Sequence, residues 1–122
     1  MTAEHHAGGG TDSLLDLTTA EVSQGRILVR ARGEVDLTTA PELATVMRDA
    51  IGRTEAQVEL DLEQVTFIDS SGVGAIVVAD RLAKSVNRQL VIGPRSIFVA
   101  RVFEVAGLDQ ALTSNQPLAF GS

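Results

Sequence analysis

From Gln57 onward the apolar residues of this chain change their period from two to about three and a half and back again, and that alternation leaves few folds open. Val58, Leu60 and Leu62 fall on one side of an extended segment and Glu59, Asp61 and Glu63 on the other, so Gln57–Glu63 reads as a half-buried strand. The spacing turns helical around Ser70 to Val73 and stays so through Ile76, Val77, Leu82 and Ala83 to about Val86, with Asp80, Arg81, Lys84 and Arg88 marking the wet side. Gln89–Gly93 is short and apolar, a further strand. Pro94 and Ser96 then open a helix in which Ile97, Ala100, Phe103 and Ala106 share a face, and Gly107 takes the left-handed cap position. Upstream, Ser13–Val22 and Arg26–Gly33 form a hairpin turning at Gln24-Gly25, Ile27, Val29 and Ala31 opposing Leu28, Arg30 and Arg32. Pro41 suits a helix's first turn, Thr38 or Thr39 is placed to cap it, and Leu43, Val46, Met47 and Ala50 recur at helical spacing until Gly52. A hairpin followed by alternating helix and strand makes an α/β fold, a mixed sheet with helices packed against it.

The chain of 122 residues suits one domain. Residues 1–12, with His5-His6-Ala7-Gly8-Gly9-Gly10, read as a flexible tail and 13–122 as the domain; the paired histidines have no third ligand nearby and read as tail, not as a metal site. With 44% hydrophobic and 21% charged residues the domain is globular, and at 3% aromatic its core must be aliphatic. A net charge of −6 argues against nucleic-acid binding, which depends on Lys and Arg neutralising phosphates, and so favours protein partners. The absence of cysteine removes disulfide and thiolate chemistry. Met1–Thr11 lacks the basic and apolar regions of a secretory signal, and the longest apolar run, Gly72–Ala79, stops at Asp80-Arg81, well short of the roughly 20 residues a membrane span needs. Cytoplasmic location is the expectation.

Enzyme templates fit badly. Ile68 stands two residues before Ser70 and Asp69 two before Ser71, where a nucleophile elbow needs glycine, and the histidines of the tail are no general base for either serine. Gly72-Val73-Gly74 lacks the third glycine of a dinucleotide loop, and no phosphate-loop ending exists. Asp36, Asp61 and Asp69 are the residues to weigh as ligands of a hard cation, but separated carboxylates on an acidic chain read as solvated surface. The expectation is no catalytic residue, no cofactor and no metal.

One stretch does carry a signal: Val65-Thr66-Phe67-Ile68-Asp69-Ser70-Ser71-Gly72-Val73-Gly74, an apolar run turning through Asp-Ser-Ser-Gly into a helix. Ser70 can be read as the helix cap, contributing about 1 kcal/mol. The same position can also be read as an anion site, because a helix amino end presents unpaired amides and a positive dipole end that would accommodate a phosphate on Ser70.

Asp69-Ser70-Ser71-Gly72 resembles, position for position, the signature of the STAS domain in bacterial anti-sigma factor antagonists: an aspartate, a phosphorylatable serine, a second hydroxyl residue and a glycine entering the second helix. Gly33-Glu34-Val35-Asp36, Leu60-Asp61-Leu62 and Phe103-Glu104-Val105-Ala106-Gly107-Leu108 are similar to further stretches of that family, and the resemblance spans about Leu14 to Leu112. It implies a STAS fold, a mixed sheet of about four to five strands against three to four helices. It also implies a non-catalytic antagonist whose unphosphorylated form binds an anti-sigma factor serine/threonine kinase and frees the sigma factor, and which phosphorylation of Ser70 switches off. Ser70 would be the phosphoacceptor, Asp36, Asp69, Ser71, Gly72 and Val73 would line the partner-binding surface, and a phosphatase would reverse the switch. The chain would be a monomer or weak dimer without nucleic-acid or membrane partners. An alternative keeps the fold as an accessory or scaffold domain of a transport or stress-signalling assembly. Leu112–Ser122 contains Pro117 and few helix formers, so the family's terminal helix is expected to be short or absent.

Overall fold

The computed structural model describes residues 4–7 and 14–108. Its elements run β1 (Glu4–Ala7), β2 (Leu15–Ser23), β3 (Arg26–Val35), α1 (Ala40–Arg53), β4 (Gln57–Ile68), α2 (Ser70–Ser85), β5 (Gln89–Arg95) and α3 (Ile97–Ala106). The strands form one sheet in the order β1-β2-β3-β4-β5. β1, β2 and β3 are antiparallel neighbours, whereas β4 runs parallel to both β3 and β5, the mixed sheet that a hairpin followed by helical crossovers requires. Residues 4–7 fall within the stretch read from sequence as a tail, but they pair with Leu17–Ala20 along the outer edge of β2. The expectation for a terminal helix over 112–122 lies outside the described residues.

Alternation builds the core. Leu15 and Leu17 of β2, Ile27, Val29 and Ala31 of β3, and Val58 and Leu60 of β4 all turn inward. Leu43, Met47 and Ala50 of α1 and Ile76 and Ala83 of α2 are buried with them. Each buried Val, Leu, Ile or Met side chain contributes about 1.5–3 kcal/mol against exposure.

Three expectations change. Asp61 is buried because register shifts between Arg30 and Arg32 and between Leu60 and Leu62 break the alternation beside it. Its carboxylate accepts from Arg30 Nε at 3.2 Å and from the Glu63 amide at 2.9 Å, so it is an internal link and not solvated surface. Asp80, expected on the wet side of α2, is buried too; Lys84 Nζ lies 3.2 Å from Oδ2, while Oδ1 has no hydrogen-bond partner among the described residues. In α3 the buried positions are Val99 and Phe103, and Ile97 is exposed. That helix is apolar almost all round, so spacing could not choose its face; packing against β4 does. Ser96 caps α3 by accepting from the Val99 amide at 3.1 Å, and Gly107 ends it at φ 70° as expected. Among the described residues no helix is long and apolar enough to cross a membrane.

Candidate functional site

The site forms where the parallel strands β3 and β4 end together. Val35 pairs with Ile68, and the Asp69 amide donates to Val35 O at 3.2 Å, which ties the start of α2 to the end of β3. The two turns that follow, one with Asp36 and one with Asp69-Ser70, are therefore neighbours. Crossover topology makes them so, since parallel strands present their carboxyl ends on one edge.

Asp69, and not Ser70, is the cap of α2. Its backbone is extended, and Oδ1 accepts from the Ser71 amide at 2.9 Å and the Gly72 amide at 3.2 Å. A carboxylate takes this place better than a serine hydroxyl because it also faces the positive end of the helix dipole. Ser70 becomes the first helical residue. It is exposed, and its hydroxyl has no hydrogen-bond partner among the described residues. The capping reading of Ser70 is thereby corrected, with a chemical consequence: two amides that would have met an anion are held by Asp69, while the serine oxygen stands free.

Gly72 is buried for a steric reason. A β-carbon there would come within 2.6 Å of Ile68 Cγ1 and 2.7 Å of Val35 Cγ1, so only glycine lets the first turn of α2 lie this close to the strand ends. Val73 is half-buried and packs on the core, and Ser71 is half-buried beside Asp69. Asp36 is engaged in building its own turn: Oδ1 accepts from the Thr38 and Thr39 amides at 3.0 Å and from Thr39 Oγ1 at 3.2 Å. Thr39 precedes α1, yet its hydroxyl does not cap that helix; it donates to Glu34 O at 2.8 Å and accepts from the Asp36 amide at 2.9 Å.

The structure thus brings Asp36, Asp69, Ser70, Ser71, Gly72 and Val73 to one edge, with Ser70 the most open of them. Sequence reasoning missed the part of Thr39, which locks the Asp36 turn, and of Phe67, which stays 40% exposed two residues before Asp69. An Asp followed three residues later by Thr is a turn signal that could have found the first. Among the described residues no group of three histidines or acidic side chains converges to hold a metal ion. Chemically the edge offers an exposed hydroxyl on a helix start that Asp69 caps.

A family model described as "Mlab, STAS domain" matches residues 18–114. The anti-sigma-B factor antagonist of Staphylococcus aureus is 30% identical over 88 residues, 72% of this chain and 82% of that protein. An anti-sigma factor antagonist from Mycobacterium paratuberculosis superposes with a TM-score of 0.67 at 25% identity, over 84% of this chain and 85% of the other. The anti-sigma factor antagonist SpoIIAA has been solved unphosphorylated, with a TM-score of 0.67 at 24% identity over 77% of this chain and 83% of that one. In its phosphorylated form, as the Bacillus cell fate determinant, it gives 0.59 at 25% over 77% and 86%.

Proposed function

We propose, because this chain belongs to the STAS-domain family of anti-sigma factor antagonists, that it is a cytoplasmic, non-catalytic switch whose unphosphorylated form binds an anti-sigma factor serine/threonine kinase and so frees a sigma factor. Ser70 is the acceptor. Its oxygen attacks the γ-phosphorus of the kinase's ATP, ADP leaves, and the hydroxyl proton passes to a base of the kinase. Asp69, Ser71 and Val73 belong to the face presented to the partner, while Asp36 and Gly72 act mainly by shaping it. A phosphatase acting on phosphorylated Ser70 returns the chain to its binding form.

The observation that carries this reading is the exposed, unbonded hydroxyl of Ser70 on a helix start already capped by Asp69. A capping serine would have to break its own hydrogen bond to become a nucleophile; this one does not. The test is to capture partners from the source cells with unphosphorylated chain, purify the ATP-binding kinase found, supply ATP and map the modification by mass spectrometry. Phosphate on Ser70 is expected. Exclusive modification of Ser71, or no modification by any captured kinase, would refute the reading.

A further inference from the structure

We infer that Thr39 is a positioning residue for Ser70: by gripping the peptide between Val35 and Asp36, its hydroxyl sets where the Ser70 turn stands and so how that serine meets the kinase's ATP; the inference rests on the function proposed above. Thr39 is 3% exposed, and its Oγ1 donates to Glu34 O at 2.8 Å and accepts from the Asp36 amide at 2.9 Å. Those two groups belong to the peptides on either side of Val35. The second peptide also carries Val35 O, which accepts from the Asp69 amide at 3.2 Å. A peptide unit is planar, so fixing its N–H fixes the direction of its C=O. Thr39 therefore aims the carbonyl that anchors Asp69, and Ser70 is the next residue.

Val35 and Ile68 are the last registered pair of β3 and β4, so no further rung of the ladder follows to steady the Val35–Asp36 peptide. Ser70 is held from two sides: on the helix side Asp69 Oδ1 binds the Ser71 and Gly72 amides, and on the strand side the Asp69 amide binds Val35 O. Thr39 governs the second anchor. A threonine just before a helix ordinarily accepts from an amide of the first turn. Thr39 forgoes that bond and leaves α1 without a side-chain cap, its hydroxyl turned back onto the strand end. Thr54, at the other end of α1, supplies the comparison: it is 2% exposed, and its hydroxyl also bonds main-chain groups, donating to Gly25 O and accepting from the Ala56 amide at 3.3 Å. The 14 residues of α1 put it about 20 Å from Thr39, away from Ser70. Placement matters to the reaction, because moving a reacting group by about 1 Å can cost on the order of a hundredfold in rate.

The test is single-turnover phosphorylation of the full chain by the purified kinase and ATP over a range of chain concentrations, for wild type, Thr39→Val, Thr39→Ser and Thr54→Val. Each is assayed below its melting transition, with phosphate at Ser70 counted by mass spectrometry. Thr39→Val keeps the side chain's size and loses the hydroxyl, whereas Thr39→Ser keeps the hydroxyl. Thr39→Val should lower the maximal rate about ten- to a hundredfold and shift the half-saturating concentration less than about threefold. Thr39→Ser should recover the rate, and Thr54→Val, which loses a comparable buried hydroxyl, should react as wild type does. Exchange of the Asp69 amide, followed by NMR, should quicken in Thr39→Val and not in Thr54→Val. A loss of rate below about fivefold in folded Thr39→Val overturns the inference and leaves the proposed function standing. An equal loss in Thr54→Val overturns it too, since the cause would be stability; so does failure of Thr39→Ser to recover the rate, or a change in half-saturation alone. If Thr39→Val does not fold, Thr39→Ala, which removes the hydroxyl without setting a methyl group against Glu34 O, is held to the same outcomes. If wild type takes no phosphate on Ser70, the proposed function fails and this inference with it.

Discussion

Replacing Asp69 by alanine should destabilise the domain far more than replacing Ser70, the proposed phosphoacceptor. Asp69→Ala removes the hydrogen bonds from the Ser71 amide at 2.9 Å and the Gly72 amide at 3.2 Å and strands both donors at the entrance to α2. Losing an N-cap costs about 1 kcal/mol, and losing a carboxylate from the positive end of the helix dipole adds about 0.3–1 kcal/mol. The sum of roughly 1.5 kcal/mol corresponds, at about 4–8 °C per kcal/mol for a domain of this size, to a melting point lowered by about 6–12 °C. Ser70→Ala removes an exposed hydroxyl with no partner, so its effect should stay within about 0.5 kcal/mol. Asp69→Asn keeps an oxygen in the capping position and loses only the charge, and it should fall between the two. Thermal and urea denaturation followed by circular dichroism measure all three. If Ser70→Ala cost as much as Asp69→Ala, the serine would be the cap after all, and the assignment of its hydroxyl as free would be wrong.

Gly72→Ala should cost about 1–3 kcal/mol through crowding against Ile68 and Val35, visible as a lowered urea midpoint; an unchanged midpoint would mean the strand ends yield more easily than their packing implies. Phosphorylated chain should keep a near-normal melting transition, because Ser70 is exposed, yet bind the kinase on the order of a hundred- to several-thousand-fold more weakly, since an unpaired charge buried in an interface costs about 3–5 kcal/mol. Equal affinity of the two forms in calorimetry would defeat the switch, and a collapsed transition would show the phosphate acting through the fold. Asp80→Leu removes a buried carboxylate oxygen without a partner, so stability should hold or rise by about 1 kcal/mol, and a loss above about 2 kcal/mol would show that Oδ1 is satisfied in solution.

Ser70 is open to solvent while its neighbours hold the backbone around it. Asp69 holds the first turn from outside the helix, Gly72 lets that turn sit against the strand ends, and the Thr39–Asp36–Glu34 bonds stiffen the adjoining turn. The side chains of Asp69, Asp36 and Thr39 thus fix the backbone around a hydroxyl that takes no part in fixing it. Under the proposed function, phosphorylation of Ser70 changes what the surface binds without removing a hydrogen bond that the fold makes.

The order of elements was written in the sequence, because period-two and helical patterns follow from backbone geometry alone and the breaks at Gln24-Gly25, Pro41, Pro94 and Gly107 are local chemistry. The Asp-Ser-Ser-Gly motif was equally plain, since it needs no contact beyond its own turn. Which residue caps α2 was not: Asp69 and Ser70 are both good capping types one position apart, and the choice fell to the bond from the Asp69 amide to Val35 O, a contact between residues 34 apart in the chain. Asp61 and Asp80 looked like surface for a related reason, as alternation assigns a face but cannot foresee a register shift or a neighbouring element that closes over it. The edge itself is tertiary. Asp36 and Ser70 lie in separate stretches, and only the parallel pairing of β3 and β4, with Val35 opposite Ile68, sets their turns side by side.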